Sequence, residues 1–221
     1  MQQEARHRSR PRPYGTRRAF PSIKIDILSS SSHPRSRSLP FSAHSPRPHQ
    51  LWPLNCYEDT KPPYSPIQAP IKPTTSWRCS TRHGYRTMGL YPEVREVLEW
   101  CGDQSLTLTI CSRSPHLSCP EAILTALGMW EWFLYPQVYD QHKSVHFQVL
   151  ADSTNLPLNN FLFFDDLPSN IKCCSGMGVM SCLVDRKSGL DWEALVRGLR
   201  MYRSREMSRN VMGNWLKPSS T

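Results

Sequence analysis

The sequence predicts an α/β fold, a parallel sheet flanked by helices, with a disordered basic tail ahead of it. Three observations carry this. First, Phe161-Leu162-Phe163-Phe164 is an unbroken apolar run, the mark of a strand covered on both faces. Second, strand-like and helix-like periods alternate between residues 92 and 202, which requires crossover helices over a parallel sheet. Third, charge and proline are concentrated at one end. Residues 1–50 hold ten Lys+Arg and two acids, so of a net charge of +9 only +1 belongs to residues 51–221. Thirteen of the twenty prolines precede residue 76. A Pro/Ser/Arg-rich stretch with few large apolar residues buries too little surface to offset its ordering entropy. Residues 1–50 are therefore read as the tail, 51–203 as the folded domain and 204–221 as a second tail.

The elements follow in order. Leu51-Trp52-Pro53 opens the domain, and residues 55–88 read as a loop or small cap, because Pro62, Pro63, Pro66, Pro70 and Pro73 oppose helix and sheet interior. Val94, Val97, Leu98 and Cys101 share one helical face, with Pro92 suited to the first turn. Leu106 to Cys111 alternates apolar and Thr residues as a strand does. Pro120 to Leu127 reads as a helix closed by Gly128, and Trp130 to Leu134 as a short buried element. Lys143 to Ala151 is a helix, Phe161 to Phe164 the central strand, Ser169 to Cys174 a helix and Val179 to Val184 a strand. Leu190 to Tyr202 is the last helix, with Ser188 as its N-cap.

The chemistry gathers at strand ends. Asp165 and Asp166 follow the apolar run directly, and adjacent like charges are unfavourable without a cation, which points to Mg²⁺. The plainer reading makes one of them the cap of the helix near Ser169. Ser112 and Arg113 end the preceding strand, so all four polar groups are expected at one rim of the sheet. A serine there can donate to a phosphoryl oxygen, and a lysine in a helix's first turn adds positive charge. Taken singly, Ser112 reads as a strand-end cap, Arg113 as a surface cation and Lys143 as a solvated helix residue; together they favour a phosphate site. His142 and His146 have the i, i+4 spacing of a zinc pair but lack the adjacent Glu of H-E-x-x-H, so they are read as structural or exposed. The eight cysteines contain no C-x-x-C and read as reduced thiols. No stretch has the length of a membrane span.

Several motifs in order, Leu51-Trp52-Pro53, Leu90-Tyr91-Pro92-Glu93-Val94, Cys111-Ser112-Arg113-Ser114, Lys143 with His146-Phe147, and Phe163-Phe164-Asp165-Asp166 followed by Asn170-Ile171, resemble the haloacid dehalogenase-like superfamily. More narrowly, residues 51–203 resemble the magnesium-dependent phosphatase-1 family. The resemblance implies a Rossmann-like domain with a minimal cap and hydrolysis of phosphomonoesters through an aspartyl-phosphate, phosphotyrosine or phosphosugar being the expected substrate type. It makes Ser112 a phosphate ligand, Arg113 a substrate contact and Lys143 the site lysine. It makes Asp165 and Asp166 the Mg²⁺ acids, without saying which touches the metal, and Asn170 their support.

The family's first motif, Asp-x-Asp-x-Thr directly before Leu-Trp-Pro, has no counterpart here. The positions matching nucleophile and proton donor are Pro46 and Pro48. Prolines also exclude a central strand there, so both the acids and the mid-sheet strand are expected to be lost, and the change of character at residue 51 is that of a splice or gene-model boundary. Ile23 to Ser30 is the tail's one β-like run. Asp26 and Ser30 could imitate the first acid and the Thr, yet Leu28 stands at the second-acid position and residues 31–50 intervene. The chain as written is thus expected to have little or no activity. The alternatives are a non-catalytic phosphate and Mg²⁺ binder, or an interaction protein acting through its basic tail. A phosphorylated small molecule or phosphoprotein is the expected partner. A monomer is expected, with no membrane and no nucleic acid beyond what the tail could attract. The expected location is cytoplasmic, with mitochondrial as the alternative from the Arg/Ser-rich start.

Overall fold

The computed structural model describes residues 24–27, 51–52, 61–66, 75–81, 84–113 and 118–215. In chain order these form β1 (Lys24–Ile27), β2 (Lys61–Pro66), β3 (Ser76–Thr81), β4 (Gly84–Gly89), α1 (Val94–Asp103), β5 (Thr107–Thr109), β6 (Cys111–Ser112) and α2 (Ser118–Ala126). They continue as β7 (Gln137–Val138), α3 (Lys143–Thr154), β8 (Phe161–Asp165), α4 (Pro168–Gly176), β9 (Met180–Leu183) and α5 (Trp192–Trp215).

The main sheet is parallel, in the order β5-β1-β8-β9. Beyond Thr109 the second strand leaves β1 and turns to the other side. Leu108 bridges Phe133, Gln137 N–H donates to the Ile110 carbonyl at 2.7 Å, and β6 pairs with β7. The single strand expected over Leu106–Cys111 is thus split between two neighbours. Segment 107–112 lies between 133–138 and β1, which gives the third-second-first-fourth-fifth order of a doubly wound sheet. Its ligand crevice falls at the carboxyl ends, where the order reverses.

β8 is buried along its whole length, as its composition requires. Phe161 and Phe163 join Phe147, Leu150 and Cys174 on one face. Leu162 and Phe164 join Val94, Val97, Ile123, Leu195 and Tyr202 on the other. On that second face α5 approaches so closely that a Cβ added at Gly198 would lie 2.7 Å from Phe164 Cζ.

Several expectations need correction. The mid-sheet slot is filled: Lys24–Ile27 lies between β5 and β8, and Asp26 is in register with Thr109 and Phe163. The β-like run supplies the central strand that the proline-rich stretch before Leu51 could not, which also places part of residues 1–50 inside the sheet. The last helix runs on to Trp215, so the tail expected after residue 203 is mostly helical. Asp191, not Ser188, caps that helix, its Oδ1 accepting the Ala194 N–H at 2.8 Å. The Trp130 to Leu134 element is only partly buried: Phe133 is inside, whereas Leu134 is exposed.

The described strands of the region expected as loop or small cap form an antiparallel sheet, β2-β3-β4. Pro62, Pro63 and Pro66 sit in β2, an edge strand whose register with β3 shifts between Lys61 and Ser65; Pro70 and Pro73 lie outside the described residues. An edge tolerates missing N–H donors that a central strand would not. Trp77 of β3 meets Trp52 edge-on at 5.5 Å, both buried, so the small sheet is anchored to the Leu51-Trp52 segment.

Candidate active site

β8 ends in two acids with different surroundings. Asp165 is fully buried. Its Oδ1 accepts the Leu167 N–H at 2.7 Å and its Oδ2 the Asn170 amide at 3.0 Å. The carboxylate therefore closes the turn into α4, whose Pro168 supplies no N–H of its own. Burial pushes its pKa from 3.8 to about 7. The Lys143 charge opposes that rise, as do the two hydrogen bonds, while the Asp166 charge adds to it. Asp166 is also buried, and its Oδ2 lies 3.1 Å from Arg186 Nε.

Lys143 begins α3 and is almost entirely buried, with its Nζ 5.5 Å from the Phe163 ring centre. It donates to the Cys111 carbonyl, next to Ser112. The lysine thus joins the end of the second strand to the end of β8. Ser112 is buried, and its carbonyl accepts the Tyr139 N–H at 3.0 Å. Arg113 is partly exposed and pairs with Asp140 at 3.4 Å. Asn170, in the first turn of α4, holds Asp165.

His146 is structural. It is buried, its Nε2 sits 3.1 Å from the Tyr139 carbonyl, and the Tyr139 ring packs edge-on at 4.3 Å. Burial, with Lys143 beside it, drives its pKa down to about 3. His142 is exposed. The structure therefore brings Ser112, Asp165 and Asp166 to one rim from strand ends, with Lys143 and Asn170 reaching them from the first turns of α3 and α4. Pro46 and Pro48 lie outside the described residues. Arg186 and Tyr91 were not singled out as site residues. Arg186 stands on a turn after β9 and belongs to no motif; Tyr91 lies in a motif, but its chemical role is visible only in its hydroxyl, which donates to the Arg186 carbonyl at 2.6 Å.

The acid phosphatase family matches residues 49–205. This chain belongs to that family. Human magnesium-dependent phosphatase 1 is 27% identical over 154 residues, covering 70% of this chain and 82% of that protein. Two solved structures are similar at lower coverage. A predicted phosphoglycolate phosphatase from Haemophilus somnus is 24% identical, covers 49% of this chain and 48% of its own, and has a TM-score of 0.40. β-Phosphoglucomutase from Clostridium difficile is 15% identical, covers 54% and 59%, and has a TM-score of 0.42. The chain thus spans about half to three-fifths of the length of these two structures. The family assignment agrees with the resemblance drawn from the motifs. The matched region begins at residue 49, so β1 lies outside it.

The rim suits a small hard cation. Its candidate donors are the carboxylate oxygens of Asp165 and Asp166, and the raised pKa of Asp165 reflects a buried negative charge that a cation would relieve. Among the described residues no three His, Cys, Asp or Glu side chains converge. Such a cation would keep water or ligand oxygens in its shell, as Mg²⁺ commonly does.

Proposed function

We propose that this chain is a magnesium-dependent phosphatase domain that holds a phosphoryl group and its cation but, as written, turns over little or no phosphomonoester. The observation that carries the reading is Lys143. One buried ammonium touches the backbone beside Ser112 and acts electrostatically on Asp165, so phosphate side and acid side share a cation. Ser112 donates to a phosphoryl oxygen, Arg113 contacts the rest of the ligand, and Lys143 offsets its charge. Asp165 and Asp166 hold the cation, and Asn170 keeps Asp165 turned inward. When bound, Mg²⁺ supplies charge neutralisation at the phosphoryl oxygens. The human relative named for its dependence on magnesium supports that choice of ion.

The register of β1 supports weak turnover. Asp26 pairs with Phe163, two residues before Asp165, which at about 3.3 Å per residue sets its backbone some 6–7 Å inside the rim. The residues that follow Asp26 toward the rim are not acids: Ile27 pairs with Phe164, and Leu28 is next in sequence. The expected ligands are phosphotyrosine- or phosphosugar-type monoesters. Thermal unfolding of the full chain with inorganic phosphate and MgCl₂ tests the reading: each ligand raises the midpoint, and both together raise it further. No stabilisation by either contradicts it.

A further inference from the structure

We propose that Arg186 is the internal counter-ion of Asp166 and sets how tightly the rim takes up a divalent cation. This rests on the metal-holding role proposed for Asp165 and Asp166. The guanidinium reaches the acid twice, with Nε 3.1 Å from Oδ2 and 3.4 Å from the Asp166 carbonyl. The two partners are unequally placed. The Arg186 side chain is 46% exposed and that of Asp166 only 6%. The cation can swing into solvent; the anion cannot follow it.

The backbone beneath Arg186 is held on both sides. Asp185 Oδ1 accepts the Lys187 N–H at 2.8 Å, and the Asp185 carbonyl accepts the Gly189 N–H at 2.8 Å. Gly189 turns the chain with φ of 69°, a conformation that suits glycine. Tyr91 adds the long-range tie: its hydroxyl donates to the Arg186 carbonyl at 2.6 Å, while its N–H donates to the Leu51 carbonyl at 2.9 Å. The tyrosine remains a donor at neutral pH, since burial and the nearby Asp166 and Asp185 push its pKa up to about 12. A fixed backbone thus carries a detachable charge.

The charge count gives the consequence. With both acids ionised, Lys143 and Arg186 make the empty rim neutral. A divalent cation then enters against two positive charges, and it must displace Arg186 from Asp166 to use that oxygen. A phosphate anion reverses the balance and offers the guanidinium another partner within the same rim. Arg186 therefore disfavours cation uptake in the empty site and couples it to phosphate occupancy.

The test is calorimetric titration of MgCl₂ into the full chain at pH 8, with and without inorganic phosphate, for wild type, Arg186→Gln and Arg186→Lys. Arg186→Gln is expected to bind Mg²⁺ about tenfold more tightly without phosphate, within the usual range of site-to-site coupling. Its response to phosphate shrinks, while Arg186→Lys stays near wild type. A merely structural ion pair predicts a lower unfolding midpoint for Arg186→Gln with unchanged or weaker Mg²⁺ binding, and that result overturns the proposal. If neither wild type nor Arg186→Gln binds Mg²⁺, the metal-holding role of the acids fails and takes this proposal with it.

Discussion

The rim has two halves, and they are built unequally. The half made by β6, α3, β8 and the turn after β9 carries a buried lysine, a buried serine, two acids and a guanidinium, each tied to a neighbour by a hydrogen bond or ion pair. The half made by β1 contributes a strand. It hydrogen-bonds between β5 and β8 and completes the sheet, but its register sets Asp26 two residues short of Asp165. On the proposed reading, the need for a central strand and the need for a nucleophile are separable. Almost any β-prone run satisfies a parallel ladder, whereas catalysis needs one residue type at one height.

Lys143 should produce the largest break in this comparison. Replacing it by methionine removes the cation that faces Asp165 and the donor to Cys111. Stabilisation by phosphate should vanish, and unfolding in urea at pH 8 should show a loss of about 3 kcal/mol, the size expected when one member of a buried charge pair is removed. Retained phosphate stabilisation would move the binding role elsewhere.

Gly198 sharpens the comparison from the packing side. Gly198→Ala places a methyl within 2.7–2.9 Å of the Phe164 ring and 3.2 Å of Leu162. A cost of about 1–3 kcal/mol is expected from overpacking, with a weaker response to Mg²⁺ because Phe164 directly precedes Asp165. A neutral substitution would mean that α5 shifts freely on β8.

The smallest expected effect is a change of slope with pH. Asp165 has a folded pKa near 7 against 3.8, so the folded state binds its proton more tightly. Its contribution is greatest below 3.8, declines as pH rises to 7 and is flat beyond. His146 acts in the opposite direction: with a folded pKa near 3 against 6.5, it costs stability as pH falls from 6.5 towards 3. The two oppose each other between pH 4 and 6.5. Asp165→Asn removes the first slope and leaves the second, which unfolding midpoints from pH 4 to 8 will show. Parallel curves for the two proteins would contradict the burial argument.

Much of this was legible in the sequence, for identifiable reasons. β8 and α1 are strong periodic signals, and strand ends locate Ser112, Asp165 and Asp166 without coordinates. Lys143 was legible as a site lysine, but its full burial was not, because a lone lysine on a short amphipathic pattern reads as solvated. β1 is legible as a β-like run but not as the central strand, because residues 31–50 separate it from Leu51 and the prolines directly before Leu51 exclude a strand there. β2 was obscured by prolines that only an edge strand tolerates. Ser188 lost the capping role to Asp191 because Gly189 closes a turn with Asp185 first. Arg186 offered no signal at all; its importance is a matter of distance to Asp166.

Hydrolysis of p-nitrophenyl phosphate by the purified full chain in MgCl₂, followed on a sample already shown to be stabilised by inorganic phosphate, tests the central claim most directly. The account predicts product no faster than in protein-free buffer. Steady enzymatic turnover, lost on Asp26→Asn, would contradict it and make β1 the missing half of a working centre.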